Sequence, residues 1–271
     1  MSRQFIFFTI IVLLASSANA QLTKIKELEL HDVSSASVDR LGNFYFVLPS
    51  GIIKKIDPDG KLLDETSKEV KTLTLLEPWN PLKVFTYSSK SQKYQYWDHH
   101  LNFLEEKTLD PSLSISPSLV CPAYDVNIAW ILDVADYSLR KVNLTTAQIE
   151  IEALLPANWA TDQADFVFMR EYQNRLFLLD GKKGILMLNN LGKLITTIDV
   201  GGLSFFNFLG QELCYRVGGN ILLLDLHTGE TRKVAELPNP DTISFTIITD
   251  ERLVVGTQKK VTLYSLQLAS R

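Results

Sequence analysis

The chain has 271 residues, a formal net charge of −4 and 46% hydrophobic residues. That is enough apolar sequence for a sizeable core. Acids and bases are mixed along the chain, which excludes the basic stripe of a nucleic-acid binder and the polybasic patch of a membrane-surface protein. Two cysteines with no C-x-x-C spacing exclude a disulfide-dense scaffold and a thiol metal or redox motif.

The first twenty residues read as a secretory signal peptide. Arg3 supplies the positive end, Phe5 to Leu14 form an apolar run, and Ala18 and Ala20 stand in the A-x-A arrangement that precedes cleavage. Ten apolar residues fall short of the roughly 20 that span a bilayer. Cleavage is expected after Ala20. No cysteine follows that point, so no lipid anchor is expected there. Residues 21–271 are expected to form one exported domain without a transmembrane segment.

The segment Ile25 to Leu30 alternates apolar and polar residues and reads as a strand. A repeating unit follows. An apolar strand leads to a tight polar turn, a second strand, a short loop and a third strand ending in Asp or Asn. The clearest copy runs from Ala36 to Lys61. Its turns are Asp39-Arg40-Leu41-Gly42-Asn43 and Asp57-Pro58-Asp59-Gly60. Later copies cover Leu82 to Leu104, Leu119 to Asn143, Phe166 to Asn189, Phe205 to Asp225 and Phe245 to Leu266. Asp57, Asp98, Asn143, Asn189, Asp225 and Ser265 close the third strands at steps of 36 to 46 residues. This period is that of propeller blades. An all-β, six-bladed β-propeller is therefore expected, with Ile25 to Leu30 completing the last blade beside Val261 to Leu266. Two short segments, Thr66 to Val70 and Thr145 to Leu155, are weak helix candidates.

The sequence holds no G-x-S-x-G, P-loop or H-E-x-x-H motif, and no catalytic residue, cofactor or metal ligand set emerges. Asp39, Asn43, Asp57 and Asp59 read as turn residues rather than calcium ligands. His99 and His100 read as exposed turn residues, and Cys121 and Cys214 as buried free thiols, with a disulfide between them the alternative that an oxidising compartment permits. The Tyr94, Tyr96, Trp97 and Phe103 cluster reads as packing between blades. Two Pro/Asn-rich connections carry tryptophans: Glu77-Pro78-Trp79-Asn80-Pro81 and Pro156-Ala157-Asn158-Trp159-Ala160. Trp79 and Trp159 are the candidate partner-binding residues: such connections lie on one rim, where exposed tryptophans would serve as interface anchors, the alternative being that each ring packs on the edge of its own blade. The leading expectation is a non-catalytic module that binds a protein. The alternatives are a calcium-dependent hydrolase or lyase with a dispersed channel site, and a sensor of small molecules or glycans with an aromatic-lined mouth.

Asn80-Pro81-Leu82-Lys83-Val84-Phe85, followed by Trp97-Asp98 and Leu101-Asn102, resembles a family of small exported β-propellers of Bacteroidota. Asp39-Arg40-Leu41-Gly42-Asn43-Phe44-Tyr45 before it, and Asn127-Ile128-Ala129-Trp130 and Asp136-Tyr137-Ser138-Leu139 after it, extend the likeness. The resemblance covers about Ala36 to Asn143 and rests on motifs that look structural. It implies a periplasmic or outer-membrane location. It also implies a partner in an outer-membrane or secretion complex, since such propellers include a plug beneath the type 9 translocon pore.

Overall fold

The computed structural model describes residues 22–268. The expected signal peptide, residues 1–20, lies outside them. Twenty-four strands form six four-stranded antiparallel sheets. Blade 1 comprises β2 (Ser35–Val38), β3 (Phe44–Val47), β4 (Ile53–Ile56) and β5 (Leu62–Glu65). Blade 2 comprises β6 (Leu75–Glu77), β7 (Val84–Ser88), β8 (Lys93–Trp97) and β9 (Phe103–Thr108). Blade 3 comprises β10 (Pro117–Pro122), β11 (Ile128–Asp133), β12 (Ser138–Asn143) and β13 (Gln148–Leu154). Blade 4 comprises β14 (Phe166–Tyr172), β15 (Arg175–Asp180), β16 (Gly184–Asn189) and β17 (Leu194–Ile198). Blade 5 comprises β18 (Asn207–Leu209), β19 (Glu212–Val217), β20 (Asn220–Asp225) and β21 (Thr231–Glu236). Blade 6 comprises β22 (Ile243–Ile248), β23 (Arg252–Thr257) and β24 (Val261–Ser265), closed by β1 (Thr23–Leu28). The protein is a six-bladed β-propeller.

The ring closes as the alternation of Ile25 to Leu30 requires. β1 pairs antiparallel with β24, Thr23 opposite Ser265 and Leu28 opposite Val261. The outer edge of β24 is thereby paired, and the N- and C-terminal segments are joined in one sheet. The core sits between blades, because each sheet has two apolar faces that only neighbouring sheets cover. Blade 3, for instance, buries Leu119, Trp130, Ile131 and Leu139 completely or nearly so. The aromatic cluster divides as strand alternation dictates. Tyr94 and Tyr96 share one face with Phe85, while Trp97 packs edge-on against Phe103.

The third-strand ruler holds in all six blades, but the outermost strands differ from expectation. Thr145 to Leu155 contains strand β13, not a helix, and Thr66 to Val70 is irregular. The sequence of β13, QIEIEAL, alternates with period two. Its half-exposed outer position dilutes the apolar signal. Among the described residues the one helical element is a 3₁₀ turn at Pro240–Thr242. No helix of the described residues is long and apolar enough to cross a membrane.

The polar turns explain the recurring Asp and Asn. The Asp57 Oδ1 accepts from the backbone N–H groups of Asp59 and Lys61, at 3.0 and 2.7 Å. Asp39, Asp98 and Asn189 take the N–H groups two and four residues on in the same way. Gly60 occupies the left-handed position of its turn, at φ +81°. In the Asp98 turn Leu101 takes that conformation instead, at φ +58°, held by burial of its side chain. Cys121 and Cys214 are unpaired and buried, and burial pushes both thiols well up from their usual range.

Candidate binding site at the channel mouth

The innermost strands are β2, β6, β10, β14, β18 and β22, and all six run in the same direction along the axis. Their C-terminal ends and the turns that follow therefore gather at one mouth of the channel. Inside this mouth the axis is crossed by a buried ion pair. Arg170 on β14 of blade 4 donates from Nε to Glu77 Oε2 of blade 2 at 2.6 Å and from Nη2 to Glu77 Oε1 at 3.0 Å. The same Nη2 reaches Ser37 Oγ on β2 of blade 1, also at 3.0 Å. Three blades, two of them on opposite sides of the ring, are thus tied through one guanidinium that is 1% exposed. Its fork geometry suits a bidentate carboxylate.

Glu77 also builds the turn above it. Its Oε1 accepts the Trp79 N–H at 2.9 Å. Asn80 then accepts from the N–H of Leu82 through its side chain, at 3.1 Å, and from the N–H of Lys83 through its carbonyl, at 3.1 Å. Trp79 is left half-buried over the Arg170 guanidinium, its ring centre 5.9 Å from Cζ. Its ring meets Tyr172 of blade 4 edge-on at 5.4 Å, and Tyr172 stacks flat on Phe208 of blade 5 at 4.0 Å. The Tyr172 hydroxyl donates to Gly210 O at 2.7 Å. An aromatic row thus links blades 2, 4 and 5 across the mouth.

On one side of Trp79 lies a cavity of about 750 Å³ shared by blades 1 to 4. Its walls include Trp79, Tyr96, Tyr124, Val126, Ile128 and Tyr172. Lys83 stands with Nζ 3.7 Å from the centre of the Tyr96 ring. Glu171 fastens the 123–127 turn of blade 3 to blade 4. It accepts from Trp130 Nε1 at 2.6 Å and from the Tyr124 N–H at 3.1 Å, with Lys141 Nζ at 3.6 Å. Tyr124 itself points outward and is 93% exposed. A second cavity of about 430 Å³, formed by blades 1, 5 and 6 with Trp79 and Arg40 at its border, opens on the same mouth.

The expectation of two tryptophans on one rim is not met. Trp79 follows the inner strand of blade 2, whereas Trp159 lies in the connection from β13 to β14 and precedes the inner strand of blade 4. Those two strand ends face opposite sides of the ring. Trp159 is also 3% exposed, packed in the core with Lys183 Nζ 5.6 Å from its ring centre. It fastens its own connection and offers no exposed anchor. The cause is strand β6: its three residues, Leu75–Glu77, were not legible as a strand, so the Trp79 loop read as an entrance to the blade instead of a turn within it.

Among the described residues no three His, Cys, Asp or Glu side chains are grouped to hold a metal ion. Asp39 is engaged by its own turn, Asn43 and the Tyr45 hydroxyl, and Asp59 pairs with Arg252 at 2.9 Å. His100 pairs with Asp64 at 3.2 Å on an exposed surface.

No protein-family model and no curated protein matches the sequence. Solved structures do. A streptogramin B lyase is similar over 92% of this chain and 98% of its own, with a TM-score of 0.62 and 14% identity. A catalytically inactive virginiamycin B lyase from Staphylococcus aureus, with quinupristin, is similar over 88% of this chain and 82% of its own, at 0.55 and 12%. The β-propeller domain of Myceliophteria thermophila Cps50 (Swd1) is similar over 90% and 99%, at 0.62 and 8%. Likeness at these identities establishes the class, a β-propeller, and leaves the activity to the site itself.

Proposed function

We propose that this chain is a non-catalytic, exported β-propeller that binds a segment of a partner protein in the mouth cavity beside Trp79. The observation that carries the reading is the cavity: about 750 Å³, aromatic-walled, and set above an axis crossed by the Arg170–Glu77 pair. Pockets of this size with apolar walls and a few convergent polar groups are the usual binding sites of folded domains. The walls are braced, because Glu77 and Glu171 accept hydrogen bonds from other blades and the Tyr172 hydroxyl donates one to Gly210 of blade 5. Of the two tryptophans expected to bind, the proposal keeps Trp79.

Export rests on the signal peptide of residues 1–20, with residues 21–271 as the mature domain. The resemblance to exported propellers of Bacteroidota supports a place in the periplasm or at the outer membrane, with a partner in an outer-membrane or secretion complex. The channel-hydrolase alternative draws no support from a cavity whose two buried carboxylates, Glu77 and Glu171, are already bound to protein donors.

The test is affinity capture from the native envelope with the wild-type chain, Trp79→Ala and Trp159→Phe. Recovery of one stoichiometric partner by wild type and Trp159→Phe, reduced at least about tenfold by Trp79→Ala, is expected for an aromatic anchor at a hot spot. Equal recovery by all three places the interface elsewhere.

A further inference from the structure

The hydrogen-bonding inventory of the mouth cavity is unbalanced, and the imbalance has a sign. Its two buried carboxylates are spoken for: Glu77 by Arg170 and the Trp79 N–H, Glu171 by Trp130, Tyr124 and Lys141. The donors are not. Among the described residues, Lys83 is half-buried against Tyr96 with no carboxylate within ion-pair distance. Arg40, at the border of both cavities, has no acidic partner either. The remaining free carboxylate of the lining, Asp125, sits on the exposed tip of the 123–127 turn. An occupant that completes this site brings acceptors and negative charge, with apolar surface for Trp79, Val126 and Tyr172.

We infer that the occupant, on the reading that the cavity binds a partner's segment, is a peptide carrying an Asp, Glu or C-terminal carboxylate next to an aromatic or large aliphatic side chain. The carboxylate pairs with Lys83 and Arg40, and the apolar neighbour packs on Trp79 and Tyr172. An ammonium over an aromatic ring keeps donors free for such a carboxylate. A neutral glycan fits less well. Its hydroxyls carry no charge to pair with Lys83 and Arg40.

A random-heptapeptide display library, selected in parallel on wild type and on Trp79→Ala, tests this. Clones that require Trp79 are expected to combine Asp or Glu with an adjacent aromatic or Leu. The best clone is then synthesised with its acids intact and as the Asn/Gln version. The amide version is expected to bind about tenfold more weakly, a loss of the order seen when a charge-assisted pair is removed. Lys83→Gln and Arg40→Gln are each expected to weaken the acidic peptide several-fold and leave the amide peptide unchanged. Binding of the acidic peptide falls with added salt. Trp79-dependent clones lacking acids, or equal binding of the two peptides, overturn the inference about charge and leave the cavity as the binding site. Selection that yields no Trp79-dependent clone overturns the binding site itself.

Discussion

Glu77→Ala is expected to lower the free energy of unfolding by about 3–5 kcal/mol, the cost of leaving a buried charge without its partner. Arg170 is held on four sides in the interior: by Glu77 twice, by Ser37, and between the rings of Trp79 and Phe168. Removing the carboxylate strands a guanidinium that water does not reach and frees the Trp79 N–H as well. The same substitution at an exposed pair provides the comparison. Glu105→Ala, which breaks the surface contact to Lys107, is expected to change stability by no more than about 0.5 kcal/mol. The pair is a device of arrangement more than of net stability. Replacing both partners with Leu is expected to recover most of the loss, because neither charge then remains buried alone. Urea unfolding of wild type, the two single variants and the double variant checks this. A loss below about 1 kcal/mol for Glu77→Ala would show that water reaches Arg170 in solution and that the axis is open.

Asp133→Asn is expected to cost about 2 kcal/mol at pH 7, and the cost is expected to disappear in acid. Asp133 is fully buried at the end of β11. Burial by itself disfavours its charged form. The N–H groups of Ala135, Ile115 and Ser116, the Ser114 hydroxyl and Arg140 at 2.6 Å outweigh that penalty and hold its pKa at about 2. An unfolded Asp titrates near 3.9. A depressed native pKa stabilises the fold fully above the unfolded value, and that contribution fades as pH falls from about 4 to 2. Wild type and Asp133→Asn should therefore differ in urea midpoint at pH 7 and converge near pH 2. A difference of equal size at both pH values would show that the carboxylate acts through packing rather than charge. The structural consequence lies at residues 114–116, the connection from blade 2 to blade 3, which Asp133 ties to its blade. Asp180 does the same in blade 4 by accepting the Asp165 N–H at 3.1 Å.

The blade count was legible because in five blades the third strand leads into an Asp or Asn whose side chain accepts backbone N–H groups of the following turn. Asp57 and Asn189 mark their turns with side-chain hydrogen bonds that other residue types could not make. The closing strand was legible by its alternation. The outermost strands were not, since segments such as FLEEKT in β9 are largely exposed and carry too few apolar residues to stand out. β6 is only three residues long, and missing it misplaced the Trp79 loop.

Of the site, Trp79 was visible as an aromatic in a Pro/Asn loop, and Tyr96 as part of a cluster. Arg170, Glu171 and Tyr172 were not, because nothing local distinguishes MREY from any other strand end. Their role comes from Glu77 and Trp130, residues far away in sequence that closure of the ring brings to the same mouth. One signal was available. A charged pair, Arg170-Glu171, following the apolar run of β14 is costly to bury unless partners are supplied. The Asn80–Lys83 motif, which looked purely structural, proves to aim Lys83 at Tyr96.

The central claim is that a partner meets this protein at the Trp79 mouth. Site-specific photo-crosslinking in the native host tests it most directly. A photoreactive phenylalanine at Tyr124, exposed beside the cavity, is compared with one at Asn158, exposed on the opposite face of the ring. A covalent adduct of one defined mass from position 124 and none from position 158 is the predicted result. An adduct from position 158 alone, or from neither, would contradict it.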